Sequence, residues 1–415
     1  MIYRAAHILP MDGSPIQDGE IMVREDRIAA VGCSLARSHP DEPVQDLGNA
    51  AIMPGFINAH CHLDYSTRRL SCDGANLWDW IEQIGFGMRY TPAREDLLKS
   101  AVRGAVDLAR SGVTCVGDST FSGAAAQAIE SVGLRGVVYQ EVFGQSMRDD
   151  YSRRFAMLLE NVQSNQAGFS SRVRLGISPH SVYTSNRGLL ELCAEACASR
   201  GVPVALHLAE TRAETEYLVS GTGPIAEMRR RLGYEPMTCG LTPARYLHDI
   251  GLLRDGVCLA HCVHVAQDEI ELIAGSGAGV AHCPRSNAFL GAGVAPLREF
   301  RAANARMGLG TDSSASALSF DFFEEMRFAM SLHRAVAEDA GAITANDVLI
   351  HATLGGAQAL GLSAEVGTLE VGKRADLIAI DTSAMVPGED LGLAIVSRSP
   401  SDVTLVLVDG NRLEF

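Results

Sequence analysis

The chain has 415 residues, 47% hydrophobic and 20% charged, with 50 acidic against 35 basic side chains and a formal net charge of −15. Such a length supports two or three domains of about 150 residues, or one large barrel, with a core that needs no disulfide. The acidic balance argues against a nucleic-acid or anionic-membrane binder, whose surface is normally basic.

No apolar run is long enough to span a bilayer, and the opening MIYRAAHILPMDGSP shows no secretory leader. The ten cysteines form no CxxC pair, so reduced thiols in a cytoplasmic protein are expected. Residues 1–53 read as short strands and turns. GEIMVREDRIAAVG alternates apolar and polar residues about a charged turn at Glu25 and Asp26. From residue 54 the pattern changes. Eight apolar strands are expected: AIMPGFINAHCH, GVTCVGDS, RGVVYQEVF, VRLGISPH, VPVALHLAE, GVCLAHCV, AGVAHCP and MGLGTDS. Amphipathic helical stretches such as REDLLKSAVRGAVDLARSG and SNRGLLELCAEACASRG lie between them. Eight β/α units predict an α/β fold, a parallel (β/α)8 barrel of the TIM type. An open doubly wound sheet would show a glycine-rich phosphate loop after its first strand; His60-Cys61-His62 stands there instead. The first connection, 63–111, is long and holds both tryptophans, Trp78 and Trp80. It is expected to form a lid, with Trp80 facing the substrate. GTLEVGKRADLIAID and DVTLVLVDGNRLEF then return to strand and turn. The termini, 1–53 and 366–415, are expected to build a small β-sandwich beside a catalytic barrel of residues 54–365.

Catalytic groups of such a barrel sit at the C-terminal ends of its strands. His60 and His62 end the first strand and His180 the fourth. His207 ends the fifth, with Glu210 three residues on; His261, His282 and Asp312 end the last three. Side chains at i and i+2 of a strand share a face, so His60 and His62 point inward together and Cys61 outward. Imidazoles converging inside a barrel need a reason, and a metal supplies one. His60, His62, His207 and Asp312 offer three nitrogens and a carboxylate. That set suits one Zn²⁺ or Fe²⁺ with a position left for water.

The motifs PGFINAHCHLD (54–64), LHLAET (206–211), LAHCVH (259–264), HCPRSN (282–287), GTDSSAS (310–316) and GTLEVGKRADLIAID (367–381) run in order over nearly the whole chain. They resemble those of the amidohydrolase superfamily, which implies the barrel with its companion sandwich. Binuclear members bridge two metals through a carboxylated lysine ending strand four. Here that strand ends Ile177-Ser178-Pro179-His180, and the only lysines, Lys99 and Lys373, fall on a helix before strand two and in the terminal segment. The chain therefore resembles the mononuclear deaminase branch. By that resemblance Glu210 takes a proton from water and delivers it to a ring nitrogen. His261 holds the attacking water and the developing tetrahedral oxygen, with His264 the competing choice. Asp312 also accepts the second proton. His180 resembles the position that contacts a purine ring nitrogen. Ser286 and Asn287 fit either substrate contacts or a turn, and Ser313, next to Asp312, is expected only to orient it.

The implied reaction removes an exocyclic amine from an N-heterocycle as ammonia. LWDWI, GLTPARYLHDIGLL and CPRSNAFLGAG look most like aminodeoxyfutalosine deaminases of menaquinone biosynthesis. Removal of the 6-amino group of 6-amino-6-deoxyfutalosine is thus expected. Adenosine, methylthioadenosine, adenosylhomocysteine, guanine and triazines are alternatives. Methylthioadenosine deaminases usually carry a ribose-binding glutamate around FGMRYT; here Glu82 is the last acid before Glu95. The distal benzoate of the expected substrate calls for an arginine fork, with Arg89 and Arg148 as candidates. A small-molecule substrate is the expected partner, with no nucleic acid and no membrane, and the resemblance leaves room for a homodimer.

Overall fold

The structure is a computed structural model and describes residues 1–85, 92–144, 150–386 and 388–415. Five strands precede the barrel: β1 (Ile2–Ile8), β2 (Ile16–Arg24), β3 (Arg27–Gly32), β4 (Val44–Asp46) and β5 (Ala50–Pro54). β2 and β3 form the hairpin expected from their alternation, turning through Glu25 at φ 53°.

Eight parallel strands follow: β6 (Phe56–Cys61), β7 (Val113–Thr120), β8 (Arg135–Glu141), β9 (Val173–Ser178), β10 (Val204–Leu208), β11 (Val257–His261), β12 (Gly279–His282) and β13 (Arg306–Leu309). Each pairs with the next. Last meets first where the Asp312 N–H donates to the His60 carbonyl at 3.0 Å. Buried Asn58 and Thr311 exchange two further hydrogen bonds across this seam, 2.7 and 3.0 Å. The segment AIMPGFINAHCH is divided at Gly55. Its first half pairs with the terminal sheet, and only Phe56–Cys61 enters the barrel.

β14 (Leu377–Asp381), β15 (Val403–Val408) and β16 (Asn411–Arg412) complete a mixed sheet with order β16-β15-β14-β5-β1-β2-β3 and β4 beside β1. The sandwich expected from the two termini thus takes the form of one hydrogen-bonded sheet. Arg135, only 2% exposed, fastens it to the barrel: Nε and one terminal nitrogen meet Asp376 at 2.7 and 3.1 Å, and Asp409 is a further partner. Such a forked pair fixes orientation as well as distance.

One buried apolar cluster gathers residues from six barrel strands, among them Ile57, Ala59, Val137, Ala205 and Ala281. This is the barrel interior below the site. The helix Leu354–Ala359 packs against it, and a glycine makes the approach feasible: a Cβ at Gly308 would lie 2.5 Å from Gly356 Cα.

The first connection contains a 3₁₀ turn (Leu63–Arg68), a short helix (Leu77–Trp80) capped by Asn76, and a π-type turn (Ile81–Gly85). The helix Arg94–Arg110 that follows is the regular helix of the first β/α unit. The C-terminal part of the segment 63–111 is therefore this regular helix. Arg89 and Arg148 lie outside the described residues.

Candidate active site

A non-glycine residue with positive φ is uncommon and disfavoured by its own Cβ. Here His180, Ala209, His261, Cys262 and Asp312 all adopt φ between 48° and 74°. Each follows or ends β9, β10, β11 or β13. Backbone of this kind clusters at functional sites, where the surrounding fold holds it in place.

A second departure from regularity aims the first two histidines. Between Asn58 and Cys61 β6 spends three residues against two of β7 (Val116 to Asp118). Such a bulge reverses the alternation. Ile57 and Ala59 face the apolar interior below, whereas His60 and His62 face the site above. Cys61 points outward, its thiol 3.5 Å from Asp118.

His60, His62 and His207 are buried, and one ring nitrogen of each lies within 4.8 Å of the others. Nδ1–H of His62 donates to the Ser119 carbonyl at 2.7 Å, and Nδ1–H of His207 to the His180 carbonyl at 2.9 Å. A carbonyl only accepts, so these contacts fix the tautomers and leave both Nε2 atoms as lone pairs. Burial, helped by the His60 ring, pushes His62 down to about 3, so that it is neutral. Burial, then the His180 and His60 rings, holds His207 well below the usual imidazole range. The two Nε2 lone pairs nonetheless face each other at 3.1 Å, and His60 Nε2 is buried without a hydrogen-bond partner. Three bare nitrogens turned to one point suit a cation.

Asp312 completes the set. Its Oδ1 lies 3.6 Å from Nε2 of both His60 and His62. Oδ2 accepts from Ser286 at 2.5 Å and Ser316 at 3.0 Å. Burial alone would raise this carboxyl; the His60, His62 and His261 rings hold it well below its ordinary value. Ser313 caps the short helix Ser314–Ala317 instead of touching the Asp312 carboxylate.

Glu210 is 4% exposed, with Oε2 3.7 Å from His261 Nε2. Burial, then Asp312 and Glu214, pushes its carboxyl well up. His261 Nδ1 bonds Asn287 Oδ1 at 2.9 Å, and burial lowers this ring to about 4. Asn287 therefore braces His261, and its buried side chain is not among the residues lining the cavity. His264 turns away and donates to the Ala292 carbonyl at 2.7 Å. His282, also expected at this rim, faces the helix layer and bonds His333 at 2.8 Å.

The cavity above these groups is lined by His180, Tyr65 and Trp80, with Leu77, Ile81, Met228, Leu232 and Leu290 as apolar wall. Trp80 donates its indole N–H to the Ala315 carbonyl at 3.4 Å, which leaves its rings as the lining surface. Besides the apolar wall and Tyr65, four charged or hydroxyl side chains escaped the sequence reading. Glu141 and Arg229 line the cavity, Ser316 binds Asp312, and Glu214 binds the turn that carries Glu210. Arg229 sits in MRRR, which reads as a solvated charge run; in the fold it is 1% exposed and donates to the Tyr183 carbonyl at 2.8 Å.

The sequence model of the Amidohydrolase family matches residues 51–413. The chain belongs to the amidohydrolase family. It is 34% identical over 412 residues to a 5-methylthioadenosine/S-adenosylhomocysteine deaminase of Moorella thermoacetica, spanning 98% of this chain and 92% of that one. It is 30% identical over 421 residues to a 5'-deoxyadenosine deaminase of Methanobrevibacter smithii, spanning 100% and 92%. The crystal structure of an adenosine deaminase from Xanthomonas campestris with bound zinc matches with a TM-score of 0.86 at 28% identity, over 99% of this chain and 92% of that chain. This amidohydrolase is thus a hydrolase of C–N bonds. Among its described residues no helix is long and apolar enough to cross a membrane.

Proposed function

We propose that the protein is a hydrolytic deaminase of 6-aminopurine nucleosides. The observation that carries this reading is the buried Glu210–His261 pair set beside three converging imidazole lone pairs. His60, His62, His207 and Asp312 would hold one Zn²⁺ or Fe²⁺. When bound, the ion supplies Lewis acidity that makes water acidic near neutral pH. Lys99 pairs with Glu95 on an exposed helix, and Lys373 with Thr368 and Glu370. Neither lies where a second metal would need a bridging lysine.

The proton traffic follows from the side chains. Glu210 accepts a proton from the attacking water and passes it to the ring nitrogen beside the amine-bearing carbon. His261 Nε2 accepts a hydrogen bond from that water and keeps the developing tetrahedral hydroxyl oriented until its proton is removed. Asp312 Oδ1 takes the second water proton for the leaving amine, while Ser286 and Ser316 hold Oδ2. Water and amine become carbonyl and ammonia, with no other reactant. His180 contacts the purine. Glu82 pairs with Arg231 at the surface. Glu141 lines the cavity and is the acid assigned by this reading to the sugar hydroxyls.

Asn287→Ala tests the brace on His261. Stranding a buried Nδ1–H costs about 1–3 kcal/mol, so kcat is expected to fall roughly 5- to 150-fold with metal content unchanged. An unchanged kcat removes Asn287 from the mechanism.

For the finer substrate, 6-amino-6-deoxyfutalosine stands first, on the resemblance of LWDWI and CPRSNAFLGAG. The apolar wall and the substrates named for the relatives favour a second reading, a 5'-alkylthio or 5'-deoxy adenosine. Ammonia release measured side by side on aminodeoxyfutalosine, methylthioadenosine, adenosylhomocysteine, 5'-deoxyadenosine, adenosine, guanine and cytosine separates them. A desolvated arginine–carboxylate bond contributes roughly 1.5–3 kcal/mol. Aminodeoxyfutalosine is therefore expected to exceed adenosine by about 10- to 150-fold in kcat/KM, a lead lost in Arg89→Met or Arg148→Met. Preference for methylthioadenosine selects the second reading, and turnover of guanine or cytosine alone refutes both.

A further inference from the structure

We propose that Glu214 is a positioning residue, whose carboxyl group holds the Ala209–Glu210 turn so that Glu210 faces His261. The proposal rests on Glu210 being the proton-transfer group and adds a second carboxylate behind it. β10 ends at Leu208, and the chain must reverse within three residues to start the helix Arg212–Ser220. It does so through Ala209 at φ 51°, a conformation that a Cβ disfavours.

Both N–H groups of this turn go to one acceptor. Ala209 N donates to Glu214 Oε1 at 2.9 Å, and Glu210 N to Glu214 Oε2 at 3.3 Å. The carbonyl side is held as well: Ala209 O accepts from Val263 N at 3.1 Å and His264 N at 2.8 Å, just past His261. The turn is thus clamped from both sides, and the clamp fixes the Glu210–His261 approach of 3.7 Å.

An acid in the first turn of a helix usually faces water and interacts with its own helix N-terminus. Glu214 instead folds back and is 1% exposed. Burial pushes its carboxyl up to about 8, opposed by these two N–H donors. No arginine or lysine among the described residues forms an ion pair with it. Burying a polar carboxyl group is unfavourable unless it is hydrogen-bonded, and the two backbone N–H groups of the turn supply those bonds.

The test is a double-mutant cycle on the metal-loaded enzyme: Glu214→Ala and Glu214→Gln, each alone and with Glu210→Gln. Misplacing a reacting group by about 1 Å can cost on the order of 100-fold. Glu214→Ala is therefore expected to lower kcat by roughly 10- to 100-fold, with metal content kept and KM within about threefold. Glu214→Gln keeps one accepting oxygen but turns an NH2 toward the other donor, and should fall between. With Glu210→Gln present, the residual rate measured with enzyme in excess should change by less than about threefold, because residues acting through one another are not additive. An equal fractional loss in both backgrounds, a rise in KM at constant kcat, or loss of metal overturns the proposal. Where Glu214→Ala does not fold, Glu214→Gln decides by the same criteria. Near-normal turnover by Glu210→Gln overturns the reading of Glu210 and this proposal with it; a normal Glu214→Ala overturns this proposal alone.

Discussion

Glu210→Gln is expected to keep its metal, bind substrate with little change in KM, and lose about 10²- to 10⁴-fold in kcat. The substitution preserves shape. Glutamine can still approach His261, which Glu210 Oε2 faces at 3.7 Å, and no ligand nitrogen of the histidine cluster is touched. What is lost is the capacity to take and return a proton. A carboxyl suits that task when its affinity for protons is raised toward neutrality, and burial does this to Glu210. Metal analysis and steady-state kinetics on the same preparation check the result. Loss of the ion would make Glu210 a ligand, and normal turnover would remove it from the chemistry.

The strands were legible because each is an apolar run that ends in a polar residue, and runs of that kind alternating with amphipathic helices leave little choice of fold. Position at the rim was legible for the same reason. Direction was not. His282 follows Ala281, which faces the barrel interior, so ordinary alternation sends His282 outward to His333. His60 and His62 would also be turned away by the parity of Ile57 and Ala59, and a bulge restores them. No residue in GFINAHCH announces that bulge. His261 likewise follows inward-facing Cys258 by three, and its φ of 74° breaks the alternation. The residues that brace the reacting groups were harder still. Glu214 looks like an ordinary acid at a helix start, and Asn287 like a turn former, until the tertiary fold shows what each holds.

The ion itself is the last test. Purified protein is expected to carry one divalent ion per chain, removable by a strong chelator together with all measurable deamination. Re-addition of Zn²⁺ or Fe²⁺ should restore activity to the chelated protein and fail to restore it to His207→Ala. A ligand bound only by the folded state stabilises it by about 4 kcal/mol at a thousandfold excess over Kd. Unfolding entropy grows with chain length, so in a chain of 415 residues this moves Tm by only a few degrees. Metal content and rate are therefore the sharper readouts. His261→Ala supplies the contrast. This ring bonds Asn287 through Nδ1 and faces Glu210 through Nε2, outside the trio of converging nitrogens. It should keep the ion and lose activity. If His261→Ala strips the metal as His207→Ala does, the ligand set is drawn one residue too small. Two tightly bound ions per chain would contradict a site whose donors converge on a single point, in a chain whose only two lysines pair with Glu95 and with Thr368 and Glu370.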